Sequence, residues 1–251
     1  MWTRRQLKER AKKVLRNNYW QAFLVSLVIL ISTTAGKWGN IERRIDRIIE
    51  NHPVVHDFVP SEIIYWTSGL MFFLASITVI LLILRIVIGY NLEVSGRKFF
   101  IKAAQGESNM SYLGYCFKER RYLGVIMTML LKAVFNFLWY LLLVIPGIIK
   151  TYAYSMVPYI LADNPFIGAE RAIELSNEMT RGEKWDMFVL DLSFLGWYIL
   201  GVMACGIGTI FVYPYANATK AELYLNFREE LIEEGITSYE ELNLEYDKTE
   251  I

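Results

Sequence analysis

The sequence predicts an all-α, polytopic membrane bundle of about six transmembrane helices arranged as three hairpins, with amphipathic helices on the inner surface. Three observations predict it. Of the 251 residues, 54% are hydrophobic and 15% aromatic, more apolar than the ~45–50% of an ordinary soluble domain. The apolar residues fall in long runs, some exceeding the ~20 residues that cross ~30 Å of hydrocarbon. Basic residues gather between alternate runs, as in loops on the inner side of a membrane. A formal net charge of zero conceals a polarity between the ends: residues 1–16 carry seven basic side chains against Glu9, and the stretch after Arg228 carries nine acidic ones against Lys248. The chain therefore divides into a basic amphipathic helix over 1–19, a transmembrane domain over 20–227 and an acidic tail over 228–251.

Thr3-Arg4-Arg5-Gln6 has capping-box spacing, and Leu7, Ala11, Val14 and Leu15 form an apolar stripe on an otherwise basic helix. This helix is expected to lie on the anionic inner leaflet; the alternative is a solvated helix flanking the first span. Tyr19-Trp20 suits the water–lipid interface, and the first span runs from Trp20 to Gly36. Ser32-Thr33-Thr34-Ala35 is a weak cleavage site, so the span is expected to be retained. Residues 37–62 are polar and read as a solvated loop. Its His52 and His56 have i, i+4 spacing, but Pro53 lies between them and no third ligand follows, so no metal site is expected.

Ile63 to Tyr90 is the second span, with Arg85 near its inner end, where its side chain can reach the headgroups. Residues 91–121 read as a second basic loop on the inner side. Tyr122 to Ala162, about 41 residues, would be ~60 Å long as one helix, twice the bilayer core. It is therefore expected to fold back at Pro146-Gly147. A surface helix should then start at Asn164-Pro165 and stop at Gly182. Phe166, Ala169, Ile173, Ser176 and Met179 or Thr180 form its apolar face, opposite Glu170, Arg171, Glu174, Glu178 and Arg181. Asp186 to Tyr215 is either a hairpin about Gly206-Ile207-Gly208 or one tilted span. Gly201, Ala204 and Gly208 share a face that lets a neighbouring helix approach closely. A short internal period agrees with three hairpins: Asn18-Tyr19-Trp20, Arg121-Tyr122-Leu123 and Lys184-Trp185-Asp186 open the odd spans, and Gly89-Tyr90, Pro158-Tyr159 and Pro214-Tyr215 mark the even ones.

No GxSxG, Walker loop, HExxH or GxGxxG appears. Cys116 and Cys205 make neither a disulfide framework nor zinc spacing. No catalytic residue, cofactor, metal or nucleic-acid partner is expected, and the protein is not expected to be an enzyme. What remains are polar residues inside apolar runs, each costing about 2.5–3.5 kcal/mol on insertion scales unless it meets a partner or water. Lys132, Asn136, Asp191, Glu222 and Arg85 form the candidate intramembrane polar cluster, with Asn217 and Lys220 in the last run. Lys132 and Asp191 are expected to neutralise each other if the third and fifth spans touch, as a structural ion pair or as part of a pocket opening inward.

Several motifs carry a resemblance: Arg4-x-x-Leu7-Lys8-x-x-Ala11 with Asn18-Tyr19-Trp20, Ile145-Pro146-Gly147-Ile148, and Tyr159-Ile160-Leu161-Ala162-Asp163-Asn164-Pro165. Ala172-Ile173-x-x-Ser176 leading to Gly182-x-Lys184, then Leu192-Ser193-Phe194-Leu195-Gly196-Trp197 and Pro214-Tyr215, continue it. As a set these resemble the bacterial integral-membrane family known as domain of unknown function 975. The resemblance implies a multi-span protein of the bacterial cytoplasmic membrane with no established activity and no catalytic residues to carry over. A more distant similarity in layout, to the membrane domain attached to some glycerophosphodiester phosphodiesterases, implies a helper module. The expected function is binding or organising an envelope protein or lipid partner, with a homo-oligomer as a further partner and both termini cytoplasmic. The alternative is a small permease, efflux or immunity component using an inward-facing polar pocket.

Overall fold

The computed structural model describes residues 3–34, 61–117, 121–203 and 207–244. The loop read over 37–60 with its two histidines, Cys205, and the tail from residue 245 lie outside these residues. Every regular element described is helical. In chain order they are α1 (Arg4–Thr34), α2 (Ser61–Leu84), a π-helical turn (Arg85–Gly89), α3 (Tyr90–Ala104) and a 3-10 segment (Met110–Phe117). They continue with α4 (Arg121–Leu142), α5 (Val144–Ala153), α6 (Val157–Asp163), α7 (Ala169–Met179), α8 (Lys184–Met203) and α9 (Ile207–Glu233).

The centre of the fold is α3, where the sequence suggests a basic loop over 91–121. That expectation is corrected: α3 is buried nearly all round, including Asn91, Val94, Ser95, Lys98, Phe99, Phe100 and Ile101. Helices α1, α4, α6 and α9 and the 3-10 segment all pack on it. Its charges have partners inside the protein, which removes the penalty that sends lone cations to solvent. Cys116, expected in a polar loop, is buried here, and its N–H donates to Ser95 Oγ at 3.2 Å.

The basic segment and the first span are one continuous helix, α1. Its start is as expected, with the Gln6 N–H donating to Thr3 Oγ1 at 3.4 Å. The stripe of Leu7, Ala11 and Leu15 continues through Ala22, Val25 and Ile29, and all six are buried as α1 packs on α3 and α9. Gly96 makes the approach possible, because a Cβ there would stand 2.5 Å from Ile29 Cδ1.

The chain breaks between α4 and α5 at Leu143, whose backbone is extended. Pro146 follows in the first turn of α5, where its missing amide costs no helical hydrogen bond. The two helices pack against each other, as a fold-back requires. A second break separates α5 from α6, and α7 stitches it: Ser176 Oγ donates to the Ala153 carbonyl at 2.8 Å and accepts the Met156 N–H at 3.1 Å.

Two expectations about α7 change. It starts after Gly168, not at Asn164-Pro165, because Asn164 Oδ1 is taken up by the Phe166 N–H at 2.9 Å in a local turn. Its apolar face, with Ala172, Ile173, Leu175, Ser176 and Met179, is buried against the protein and not laid on a membrane. Gly182 adopts the expected left-handed conformation beyond the end of α7, at φ +82°. Helices α8 and α9 form a packed pair rather than one tilted span. A Cβ on Gly208 would stand 2.7 Å from Gly201 Cα, so this close contact requires glycine.

The acidic tail, read from residue 228, begins as helix to Glu233 and then folds back through residue 244. Leu242 is buried, and Glu241 accepts from Arg171 Nε at 2.7 Å and Nη2 at 3.2 Å. Arg171 Nη2 also donates to the Ile236 carbonyl at 2.8 Å, and Asn164 Nδ2 to the Glu241 carbonyl at 2.8 Å.

Among the described residues three stretches are long and apolar enough to cross a membrane: Leu70–Ala104, Tyr122–Leu142 and Lys184–Met203. The six spans and three hairpins are a finer arrangement than these three stretches establish.

Candidate functional site: a buried charge centre and three clefts

Asp163, the last residue of α6, is 1% exposed. Its Oδ1 lies 3.2 Å from Lys98 Nζ of α3, and its Oδ2 lies 2.9 Å from Arg228 Nη1 of α9. Tyr224, one turn before Arg228, donates its hydroxyl to the same Oδ2 at 2.8 Å. One carboxylate thus holds three helices together. The arrangement follows from the local sequence: α6 is buried along its whole length, so its terminal carboxylate is compelled to find internal cations.

A second polar layer adjoins it. The Tyr159 and Tyr224 rings stack at 5.4 Å, and the Arg97 guanidinium sits 5.1 Å over Tyr159. Arg97 donates to Asn217 Oδ1 at 2.6 Å and approaches Glu93 at 3.9 Å, while Asn217 donates to Ser26 Oγ at 3.1 Å. From Ser26 to Arg228 the interior polar groups of α1, α3, α6 and α9 form one chain of contacts. Both carboxylate oxygens of Asp163 are engaged, which suits a clamp and not an acid–base group.

The five candidate residues lie on four elements, with Lys132 and Asn136 one turn apart on α4. Arg85 opens the π-helical turn, half-buried, with its Nε lacking a hydrogen-bond partner. Lys132 and Asn136 lie half-buried on α4, and Asn136 Oδ1 is likewise buried without a partner. Asp191 on α8 pairs with Lys220 of α9 at 3.0 Å and accepts from the Tyr152 hydroxyl at 3.3 Å. Glu222 on α9 is buried at the edge of a surface cleft. No hydrogen bond or ion pair among the described residues joins any two of the five. The expected Lys132–Asp191 pair is corrected: α4 and α8 are not packed neighbours, and the anion of α8 takes a lysine from its own packed pair instead.

Clefts open on the described surface, among them these three. One of 350 Å³ lies between α1, α3 and α9, with Arg10, Lys13, Glu222, Asn226, Arg228 and Glu229 among its lining residues. One of 320 Å³ is lined by Lys12, Leu15, Arg16, Tyr19 and Tyr215. One of 260 Å³ is lined by Phe135, Lys150, Tyr154, Glu170 and Glu174 among others, and Lys150 lies across the faces of Trp139 and Tyr154. Lys132, Asn136, Asp191 and Asp163 line none of the three. Among the described residues no three His, Cys, Asp or Glu side chains stand together as metal ligands.

Residues 140–230 match the family model described as Protein of unknown function (DUF975). The resemblance read from the sequence is therefore met over this stretch. No curated protein and no solved structure matches the chain. The DUF975-matched stretch runs from the end of α4 through most of α9, so it supplies Tyr159, Asp163, Asp191, Lys220, Tyr224 and Arg228. The cations from α3, Arg97 and Lys98, come from outside it. Sequence reasoning missed the Asp163 centre. Its signals were an aspartate closing the apolar run Tyr159 to Ala162, and Phe99-Phe100-Ile101 directly after Arg97-Lys98, too apolar for a solvated loop.

Proposed function

We propose that the chain is a non-catalytic multi-span membrane protein that binds or organises a lipid or an envelope protein through its basic helix α1. The observation that carries this reading is where the charges go. Inside the bundle Lys98 and Arg228 share the Asp163 carboxylate, and at its partly exposed edge Lys220 pairs with Asp191. Most of those on α1 are exposed, Lys8 being half-buried over Phe194, and among the described residues Arg5 pairs within the helix with Glu9 at 3.1 Å. Internal pairs fix helix register, whereas outward cations recruit anionic partners. In this reading α1, the broken α5–α6 leg and the first half of α9 add three spans to the three apolar stretches. The result is six spans in three hairpins, both termini cytoplasmic, in the bacterial cell membrane.

Thiol accessibility tests it against a permease. In a chain with Cys116 and Cys205 replaced by serine, Arg5→Cys should react with a membrane-impermeant maleimide in inside-out vesicles and not in intact cells. Asn136→Cys should react in neither. Labelling of Asn136→Cys from water would favour a permeation path, and labelling of Arg5→Cys in intact cells would overturn the topology.

A further inference from the structure

The 320 Å³ cleft beside α1 combines three features. Lys12 and Arg16 stand one turn apart, form no ion pair among the described residues, and are both exposed on its rim. Its floor is apolar and aromatic, made by Leu15, Tyr19 and Tyr215. Its wall continues into α8, because Tyr215 meets Phe194 edge-to-face at 5.3 Å and Lys8 sits 4.7 Å over the Phe194 ring. Beyond Phe194 lie the exposed apolar residues Leu195, Trp197 and Ile199 of α8, and Trp20 projects from α1, 70% exposed.

The electrostatics of the rim are unbalanced. Arg4, Lys8, Lys12 and Arg16 follow each other at four-residue spacing, and the one acid of α1, Glu9, is bound to Arg5. Partial burial, then Lys12 and Arg4, push the Lys8 amine below its usual range. Like charges stacked along one helix repel unless an anion lies among them.

We infer that Lys12 and Arg16, with Tyr19 and Tyr215, bind the headgroup phosphate of an anionic phospholipid whose acyl chains run along the exposed face of α8. This rests on the proposed membrane function and specifies its ligand. Two cations one turn apart can share a phosphate, Tyr19 stands just before the first apolar run of α1, and the apolar wall accepts the chains. A free phosphate would use the rim and leave the floor and wall uncovered.

The test uses the full chain in nanodiscs that contain phosphatidylglycerol and phosphatidylcholine in equal amounts. Lipid retained on transfer to detergent is counted by native mass spectrometry. The unsubstituted protein should retain phosphatidylglycerol selectively, and 10 mM inorganic phosphate should not displace it. Lys12→Gln with Arg16→Gln should weaken retention about 30-fold, at ~1 kcal/mol per cation near an anionic surface. The same charge loss on another face, Arg10→Gln with Lys13→Gln, which line the 350 Å³ cleft, should change it less than about threefold. Should the first pair fail to fold, a photoactivatable phosphatidylglycerol on the unsubstituted chain should place its adducts on peptides around residues 12–20 and 213–216. Equal loss in both double variants, adducts elsewhere, or displacement by inorganic phosphate overturns the site while leaving a lipid-binding function standing. No preference for the anionic lipid, together with aqueous labelling of Asn136→Cys, would overturn both.

Discussion

α2 and α3 run into each other through a single π-helical turn, yet their relation to the rest of the protein is opposite. From Leu70 to Leu84 the helix carries no charge, and almost every side chain is exposed. From Tyr90 to Ala104 it carries Glu93, Arg97, Lys98 and Lys102, and almost every side chain is buried or half-buried. Hydropathy alone does not decide burial here: α3 is taken inside with its charges, beside the buried apolar Val94, Phe99, Phe100 and Ile101, because those charges meet partners. A helix destined for hydrocarbon leaves its apolar side chains unpartnered at little cost, while the interior core is specified by charges that have counterions. The π-helical turn is the seam. The Val87 carbonyl within it accepts both the Tyr122 hydroxyl, at 2.5 Å, and Asn91 Nδ2, at 3.2 Å.

The contrast breaks most severely at Asp163. Replacing it with asparagine keeps the volume and removes the anion shared by Lys98 and Arg228, leaving two buried cations uncompensated. A loss of about 3–5 kcal/mol is expected, the scale for breaking a buried pair, measured as denaturant stability of the detergent-solubilised protein. Adding Lys98→Met to Asp163→Asn should recover part of that loss. A single variant within about 1 kcal/mol of the parent would mean that counterions do not hold α3 inside.

On the other side of the seam it is the gain of a charge, not its loss, that costs. Ile80, exposed on α2, touches little of the core, so Ile80→Asp should leave the interior packing of the folded protein nearly unchanged. Its cost should appear on insertion, about 3 kcal/mol for a carboxylate in mid-span relative to an aliphatic side chain. Comparing glycosylation-reported membrane insertion of the α2 segment with and without the substitution measures it. Equal insertion of the two forms would remove α2 from the set of spans.

The same contrast explains what the sequence disclosed. Long apolar runs announced α2, α4 and α8, and the fold-back between α4 and α5 was legible because about 41 residues cannot cross one bilayer as a single helix. The stripe of Leu7, Ala11 and Leu15 was legible as a face, but not its destination: periodicity says that a face is covered, and protein or lipid can do the covering. The core helix α3 was hidden by its own charges. Arg97 and Lys98 look like solvated residues until Asn217 and Asp163, more than sixty positions away, are brought beside them. Asp191 was legible as an ion-pair member, and the glycines about Gly206-Ile207-Gly208 allowed α9 to pack beside α8, but no local pattern states that Lys220 of α9 stands opposite Asp191. Pro146 marked a break that falls three residues earlier, at Leu143, since proline is accepted inside the first turn of the helix it begins.

The smallest effect is expected where charge meets solvent. Glu241 and Arg171 dock the residues after α9 onto α7, with Thr237 Oγ1 donating to Glu241 Oε2 at 2.8 Å. Arg171, then Thr237, hold the Glu241 carboxyl below its ordinary value of 4.5, and its own partial burial opposes them. Arg171 is held above its usual range, chiefly by Glu241, and so stays cationic throughout. A carboxyl whose folded value is depressed contributes stability that is fully present above its unfolded value and is lost as pH falls through the folded one. The docked segment should therefore be firm at neutral pH and loosen below about pH 4.5. Both side chains are about a third exposed, so solvent screening limits the contribution to under about 1 kcal/mol. Protease cleavage between residues 234 and 244 should quicken up to severalfold as pH falls from 6 to 3 in the parent. Glu241→Gln should cleave at the fast rate at both pH values, once corrected for the protease's own pH profile. A parent rate that does not change with pH would show that Leu242 burial, and not the ion pair, holds the segment in place.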